Sequence, residues 1–220
     1  MTATLAEEIM LLSLDDESGA AKERTAAAWA VAGGILLDLA LAGRVSVADK
    51  ALRTVDPTPT GVPLLDGRLR TIMDWSAKRR SAKVTAWLTK DRSKAPRATL
   101  DSLVSRGLVT EQRHHALGLF PVRRYPEADA SVERELRGRL SGAVLGDGRP
   151  DDRTAGLIAL LHGAKLHRIA FPDVPPKTVE GRMAKIADAQ WAGEGVREAI
   201  RNMQAAMVAA TVATVTATVA

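Results

Sequence analysis

Basic side chains are concentrated in the middle of the sequence, and the chemistry they suit is phosphate binding. Residues 68–113 contain twelve lysines and arginines against four acids. Lysine and arginine donate charge-assisted hydrogen bonds to phosphate oxygens. Trp75 and Trp87 lie in the same segment, and tryptophan is a typical residue of membrane interfaces. The segment therefore predicts contact with a phosphate-rich surface, although a solvated helical face that serves solubility would have the same composition.

A predicted β-hairpin carries apolar residues close to its tip. Leu117, Leu119 and Phe120 lie together there. The residues on either side are basic or polar aromatic: His114, His115, Arg123, Arg124 and Tyr125. Apolar residues between basic ones suit shallow insertion into a bilayer or docking on another subunit. Folding of the same residues back onto the core is the alternative.

No recognisable catalytic or metal-binding motif is present in the sequence. It lacks a glycine-rich phosphate loop, a dinucleotide fingerprint, a nucleophile elbow and a zinc-protease helix. The absence of cysteine excludes thiolate ligands and nucleophiles. His162 and His167 are five residues apart, a spacing that does not place two side chains on one helical face. We expect no enzymatic activity, no cofactor and no metal site.

Hydrophobic periodicity predicts that helices position these residues. Residues 25–41 are apolar almost all round, interrupted by Asp38, and are the expected central buried helix. Gly33 and Gly34 within it indicate the close approach of another helix. Further helices are predicted at residues 5–14, 64–75, 84–88, 98–104, 131–145, 151–169, 179–192 and 195–211.

Alternating residues predict short strands in two places. A strand pair is expected after Gly43, ending near Val55. The loop that follows, residues 56–63, contains three prolines and is expected to be rigid. The hairpin is predicted with strands at residues 108–110 and 116–122.

Length and charge limit the possible classes of protein. With 220 residues, 46% of them hydrophobic, the chain can bury the core of a single domain, predicted at residues 1–220. The net charge is +5, yet the first twenty residues hold five acids and no lysine or arginine. No secretion signal is recognisable. The apolar stretches at 26–37 and 205–220 are shorter than the roughly 20 residues that span a bilayer, so any membrane contact is expected to be peripheral.

Four stretches, in order along the chain, carry motifs of one known family. Residues 5–14 have the sequence LAEEIMLLSL and residues 33–45 the sequence GGILLDLALAGRV. Residues 103–109 have the sequence LVSRGLV and residues 152–164 the sequence DRTAGLIALLHGA. They are similar to L-x-E-E-x-x-L-L-x-L, G-x-x-L-x-E/D-L-A-L-x-G-R-I/V, L-V-E-x-G-V-L and D-x-R-x-x-A-L-I-x-L-x-x-A. Together these stretches resemble the Golgi phosphoprotein 3-like family, and the composition rich in Ala, Val and Arg indicates a bacterial member.

The resemblance implies both a fold and a function. The implied fold is mainly α, a single compact helical domain around a hydrophobic central helix with a protruding β-hairpin. Eukaryotic members are peripheral Golgi proteins that bind phosphatidylinositol 4-phosphate and hold glycosyltransferase tails. Their hairpin contributes to self-association and membrane contact, which implies membrane insertion or homo-oligomerisation through Leu117, Leu119 and Phe120 here.

The family's headgroup pocket, one tryptophan and three arginines, does not match residue by residue. Its positions fall on Glu23, Ala32, Ser93 and Pro96. Basic residues beside those positions are the candidate headgroup site: Lys22, Arg24, Arg92, Lys94 and Arg97.

The favoured hypothesis is a non-enzymatic protein that binds anionic phospholipid on the cytoplasmic face of a membrane, at the Golgi only in a eukaryote. A scaffold that binds only protein clients is one alternative, because the pocket positions differ. A winged-helix nucleic-acid module is another, since the helix at 98–104 precedes a hairpin. Its exposed face offers few long polar side chains and Asp101 would repel phosphate, so nucleic acid is the less favoured partner.

Overall fold

The computed structural model describes residues 2–15, 18–116 and 120–188, together with residues 201 and 205. For residues 113–116 and 120–122 the backbone alone is described. The helices are α1 (Leu5–Leu12), α2 (Arg24–Leu41), α3 (Pro63–Ala77), α4 (Val84–Asp91), α5 (Ala95–Ser105), α6 (Ala130–Val144), α7 (Asp152–Gly163), α8 (His167–Ala170) and α9 (Pro176–Ala187). The strands are β1 (Val45–Ala48), β2 (Ala51–Thr54), β3 (Gln112–Ala116) and β4 (Phe120–Arg124). The predicted mainly helical class is confirmed.

The apolar helix α2 lies at the centre of the fold, as predicted. Residues 29–39 are buried without interruption, and α2 packs against α1, α3, α4, α5 and α7. Within the described residues, α2 is the one helix whose length and apolar composition would allow it to cross a bilayer. Because 67% of that stretch is buried inside the fold, α2 serves here as the core helix.

Gly34 is the point at which α1 and α2 approach each other closely. A Cβ atom built on Gly34 would lie 2.9 Å from the backbone nitrogen of Ala6. Side chains of any size are excluded at that distance, because the obstacle is backbone that cannot move aside. The close helix approach predicted here is confirmed at Gly34.

The short acidic helix α1 is held by ion pairs with distant arginines. Thr4 and Glu7 form a reciprocal capping box at its N-terminus. The buried carboxylate of Glu7 also pairs with Arg106. Glu8 Oε1 lies 2.8 Å from Arg139 Nη2. Glu7 and Glu8 are therefore paired with arginines inside the fold and do not form a separate acidic surface.

The first strand pair is the one predicted to end near Val55. Its register runs from Val45 opposite Thr54 to Ala48 opposite Ala51. The two turn residues, Asp49 and Lys50, both have positive φ, 50° and 63°. Two successive left-handed residues form the tight turn that matches the twist of antiparallel strands.

The second hairpin differs in its strand boundaries from the prediction. The strands pair from Gln112 opposite Arg124 to Ala116 opposite Phe120. The stretch predicted as a strand at 108–110 lies outside β3, with Val109 in an isolated bridge to Glu127. Strand β3 has the sequence QRHHA, which lacks the branched apolar residues typical of strands, so the sequence gives little signal there.

The prediction of a single helix at residues 151–169 is wrong, because the structure has two helices there, α7 and α8, with a break between them. Lys165 adopts a left-handed conformation with φ of 59°. The backbone nitrogen of Leu166 then donates to the carbonyl of Leu161 at 2.8 Å, as in a Schellman helix end. The helix predicted at 195–211 lies outside the described residues, apart from residues 201 and 205, which are helical.

Candidate functional site

The N-terminal end of α2 has no side-chain cap. Its N-cap residue, Glu23, is left-handed with φ of 44° and makes no side-chain capping hydrogen bond. The first N–H groups of a helix lack intrahelical acceptors, and together with the helix dipole they favour negative charge. Candidate residues Lys22 and Arg24 flank this end, and both are exposed.

Arg92 is held against the second turn of α2 by an aromatic ring. Its guanidinium carbon lies 4.8 Å from the centre of the buried Trp29 ring. Arg92 is the C-cap of α4, and α4 packs on α2. Its Nε atom is buried without a hydrogen-bond partner among the described residues. The guanidinium therefore lies beside Trp29, and its charge is not used in an internal ion pair of the described chain.

Three of the five candidate cations have no carboxylate within 4.0 Å among the described residues: Arg24, Arg92 and Lys94. Lys94 is exposed and is the N-cap of α5, a helix that also packs on α2. These three side chains supply positive charge outside ion pairs to the elements around the start of α2, and Lys94 also interacts electrostatically with buried Asp91.

The other two candidates are engaged in ion pairs. Lys22 Nζ lies 3.2 Å from Asp15 Oδ2. Hydrogen bonds from Ser18 lower the pKa of Asp15 to about 2, so this carboxylate stays ionised at neutral pH. Arg97 Nη2 lies 2.8 Å from Asp101 Oδ1 and also approaches Glu111.

Arg97 is also tied to the segment that contains Lys22. Its Nη1 donates to the hydroxyl of Tyr125 at 2.6 Å. The backbone nitrogen of Tyr125 donates in turn to the carbonyl of Gly19 at 3.0 Å. A Cβ at Gly19 would lie 2.3 Å from that nitrogen, so the segment 18–22 packs tightly on the chain that follows β4. Lys22 and Arg97 thus belong to a separately paired cluster, whereas Arg24, Arg92 and Lys94 form no ion pair in the described chain.

The two tryptophans expected at a membrane interface lie in the core instead. Trp87 is fully buried and Trp75 is 5% exposed. Their ring centres are 5.3 Å apart in an edge-to-face arrangement, which joins α3 to α4. The expectation fails because a basic segment folded as amphipathic helices turns its aromatic residues inward, while most of its cations face solvent.

The hairpin residues proposed for membrane insertion are only partly described. Leu117 and Leu119 lie outside the described residues. Phe120 is the first residue of β4 and pairs with Ala116 through the backbone. Insertion and self-association through these three residues therefore stay predictions.

His162 and His167 are in contact, contrary to the expectation from their spacing. His162 Nδ1 lies 3.0 Å from His167 Nε2, because the turn between α7 and α8 brings the two rings together. Burial lowers the pKa of His167. The two rings form an edge-to-face contact between the end of α7 and the start of α8, and no group of three or more metal-ligating side chains occurs in the described ranges.

A cavity at the opposite end of α2 was not anticipated from the sequence. Its volume is about 670 Å³, and it is lined by Asp38, Leu41, Ala42, Leu65, Asp151, Asp152 and Arg153. Burial raises the pKa of Asp38 to about 6. Asp38 accepts from the backbone nitrogen of Leu5 at 2.7 Å and pairs with Arg153, so its charge is already used within the fold. The sequence signal for this cavity was Asp38, an acidic residue in the otherwise apolar helix α2.

Comparison with known proteins agrees with the motifs in the sequence. The family model for Golgi phosphoprotein 3 (GPP34) matches residues 5–203. Vacuolar protein sorting-associated protein 74 of Eremothecium gossypii is 29% identical over 169 residues, which make up 66% of this chain and 50% of that protein. The chain thus spans about half the length of this curated relative. The chain belongs to the Golgi phosphoprotein 3 (GPP34) family.

Proposed function

We propose that this protein is a non-enzymatic peripheral membrane protein that binds anionic phospholipid at the N-terminal end of α2. Members of its family bind phosphatidylinositol 4-phosphate and Golgi membranes, which supports the lipid class. The observation that carries the proposal is the set of three cations without carboxylate partners in the described chain, Arg24, Arg92 and Lys94, beside an uncapped helix end.

A phosphate monoester is the ligand chemistry that fits this arrangement best. The guanidinium of Arg92 lies over the ring of Trp29, and a planar guanidinium can donate two parallel hydrogen bonds to one phosphate. Lys94 adds a point charge, and the N–H groups of the first turn of α2 add donors. Phosphatidylinositol 4-phosphate or a related headgroup supplies the dianion that such a set of donors favours.

Lys22 and Arg97 take a weaker part in the proposed site. Each must exchange a carboxylate for the headgroup, since Lys22 pairs with Asp15 and Arg97 with Asp101. Exposed pairs of this kind are worth about 0–1 kcal/mol, so the exchange is nearly neutral. Replacement of either residue is expected to reduce lipid affinity less than replacement of Arg92.

The hairpin is the proposed second element of the function, on the strength of family membership. Leu117, Leu119 and Phe120 would insert into the bilayer or join two copies of the chain. Replacing all three with serine tests this. A change in the oligomer measured by light scattering supports self-association, and weaker vesicle binding without such a change supports insertion. If neither quantity changes, the hairpin has neither role.

The lipid site is tested by vesicle co-flotation with a charge-neutralised triple variant. The test variant is Arg24→Gln, Arg92→Gln and Lys94→Gln. A matched control removes three exposed cations elsewhere, Arg134, Arg149 and Lys177, again by replacement with glutamine. Vesicles of phosphatidylcholine alone are compared with vesicles that carry phosphatidylinositol 4-phosphate, phosphatidylinositol or phosphatidylglycerol.

We expect the test variant to lose at least about tenfold in affinity for phosphatidylinositol 4-phosphate vesicles, since a basic residue near an anionic surface is worth about 1 kcal/mol. The control variant should bind nearly as the wild type does. Equal losses in the two variants contradict the proposed site. Wild-type binding that ignores both anionic lipid and salt contradicts lipid binding altogether and favours a scaffold for protein clients located in the cytoplasm. Retention on duplex DNA at physiological salt would favour a nucleic-acid role.

A further inference from the structure

A second basic surface lies beside the proposed headgroup site, on different residues. It consists of the exposed side chains Lys50, Lys78, Arg79, Arg80, Lys83 and Lys90, named here the basic strip. These cations come from the β1–β2 turn, from the segment between α3 and α4, and from α4 itself. They include Lys78, Arg79 and Arg80, the most closely spaced basic residues of the segment 68–113. The proposed headgroup site uses none of these six cations.

Backbone hydrogen bonds fix the three parts of the basic strip to one another. The backbone nitrogen of Leu52 donates to the carbonyl of Ala82 at 2.7 Å, and that of Val84 donates to the carbonyl of Lys50 at 3.0 Å. Ala51 also forms an isolated antiparallel bridge with Lys83. The β1–β2 turn and the start of α4 therefore form one continuous surface.

The cations of the basic strip form no ion pairs within the described chain, although Lys90 interacts electrostatically with buried Asp91. None of its six cations has a carboxylate within 4.0 Å among the described residues. Arg79 and Lys90 instead lie over the rings of Trp75 and Trp87, at 4.5 Å and 5.6 Å from the ring centres. Most buried acids of the fold are matched to other arginines, for example Asp91 to Arg68 at 3.2 Å.

Acids close to the basic strip in sequence are fewer than its cations. Asp49 adjoins Lys50 in the turn, and Asp74 precedes Lys78 by one helical turn. Buried Asp91 is the third acid, and it is already paired with Arg68. Six cations against two exposed carboxylates leave a strongly positive surface.

The basic strip is continuous with the proposed headgroup site along α4. Lys83 is the N-cap of α4, Lys90 lies in its last turn and Arg92 is its C-cap. The eight residues of α4 span about 12 Å. Helix α4 thus connects the β1–β2 turn, which is hydrogen-bonded to its start, with Arg92 at its end, beside Trp29 of α2.

We propose that the basic strip lies flat on an anionic bilayer and supplies a headgroup-independent contact beside the headgroup site. The inference rests on the proposed function for its choice of a membrane. The cations are spread over three exposed elements, so they match many lipid headgroups at once, and no single phosphate would contact all of them. Because they stay at the surface, their contribution is electrostatic and is screened by salt.

The test neutralises the basic strip and leaves the headgroup site intact. The strip variant carries Lys78→Gln, Arg80→Gln, Lys83→Gln and Lys90→Gln, and retains Arg79 because that side chain donates to the carbonyl of Trp75 at 2.8 Å. A matched control carries glutamine at Arg134, Arg149, Arg168 and Lys177, which are also exposed. Co-flotation compares vesicles that carry phosphatidylserine with vesicles that carry phosphatidylinositol 4-phosphate, over a series of salt concentrations. Thermal unfolding confirms that each variant is folded.

We expect the strip variant to lose at least about tenfold in affinity for phosphatidylserine vesicles, together with most of the salt dependence. Its preference for phosphatidylinositol 4-phosphate over phosphatidylserine should remain. Wild-type affinity of the strip variant for phosphatidylserine vesicles overturns the inference, and so does an equal loss in the control variant. Tighter wild-type binding to duplex DNA than to either vesicle at the same salt also overturns it.

The same data separate this inference from the proposed headgroup site. The Arg24, Arg92 and Lys94 variant should lose the preference for phosphatidylinositol 4-phosphate and keep salt-sensitive binding to phosphatidylserine. If the wild type shows no such preference while the strip variant loses phosphatidylserine binding, the headgroup site is refuted and the basic strip stands.

Discussion

Arg153 on α7 pairs with Asp38 on α2, with 2.6 Å between Nη1 and Oδ1. Asp38 is 6% exposed. The same guanidinium approaches Glu8 Oε1 at 3.4 Å, and Asp38 accepts from the backbone nitrogen of Leu5. Three of the four family motifs therefore meet in one buried ion-pair network, which joins α1, α2 and α7.

This network predicts a large loss of stability on removal of its shared cation. Arg153→Ala leaves the buried carboxylate of Asp38 without a counter-ion and weakens the neutralisation of Glu8. Breaking a buried pair in this way costs about 3–5 kcal/mol, which a urea titration will measure as a lower free energy of unfolding. Arg149→Ala, at an exposed position nearby in sequence, should change it by less than about 0.5 kcal/mol. Similar values for the two variants would contradict a structural role of Arg153.

The contact of α1 with α2 predicts opposite effects of alanine at two helical glycines. At Gly34 the added Cβ would meet the Ala6 backbone at 2.9 Å, so Gly34→Ala should destabilise the fold by about 1–3 kcal/mol. At Gly67, inside α3, no atom lies within 4 Å of the added Cβ. Gly67→Ala should stabilise by about 0.5–1 kcal/mol, because alanine is the better helix former. Thermal unfolding gives both values, and the same sign for the two would refute this account.

Local patterns were sufficient to predict the elements that depend on local physics. The run of apolar residues in α2 predicted its burial, and the alternation after Gly43 predicted the β1–β2 pair. Gly34 indicated a close helix contact because glycine inside a helix is otherwise unfavourable. These predictions are confirmed because hydrophobic periodicity and turn chemistry act over a few neighbouring residues.

Long-range pairing could not be predicted in this way. Glu7 and Arg106 are 99 residues apart in sequence, and each alone has the pattern of an exposed charge. Arg97 forms ion pairs and Arg92 does not, a difference that the sequence does not reveal. The partners of Arg97 are Asp101, Glu111 and Tyr125, and the last two lie beyond α5. The break between α7 and α8 depends on Lys165 adopting a left-handed conformation, for which a lysine gives no signal.

Burial of Asp38 predicts a dependence of stability on pH. Its pKa is raised from 3.8 to about 6 by burial, so between these values the folded state binds more protons than the unfolded state. The free energy of unfolding should then fall as pH rises from about 4 to about 6, by at most about 3 kcal/mol from this group. Asp38→Asn should remove that slope in urea titrations at a series of pH values. An unchanged slope in the variant would show that other groups are responsible.

The buried histidine His167 predicts a slope of the opposite sign. Burial lowers its pKa below 6.5, an effect to which the neighbouring His162 and Lys165 add and which Glu180 opposes. Below pH 6.5 the unfolded state therefore binds more protons, and the free energy of unfolding should decrease as pH falls. His167→Gln should show a smaller decrease between about pH 7 and pH 5. Arg168→Gln, an exposed neighbour, should keep the wild-type slope, and a wild-type slope in the His167 variant would refute this prediction.

Neutralising Glu23 is expected to raise the lipid affinity, because this residue places a negative charge at the end of α2 that is proposed to bind a headgroup. It is exposed and makes no capping hydrogen bond, so Glu23→Gln removes repulsion at little structural cost. We expect about fivefold tighter binding to phosphatidylinositol 4-phosphate vesicles, the equivalent of about 1 kcal/mol for one charge near the surface. Glu135→Gln, an exposed change on α6, should have little effect in the same co-flotation assay. Weaker binding by the Glu23 variant, or an equal gain in both variants, would mean that the headgroup does not sit at the start of α2.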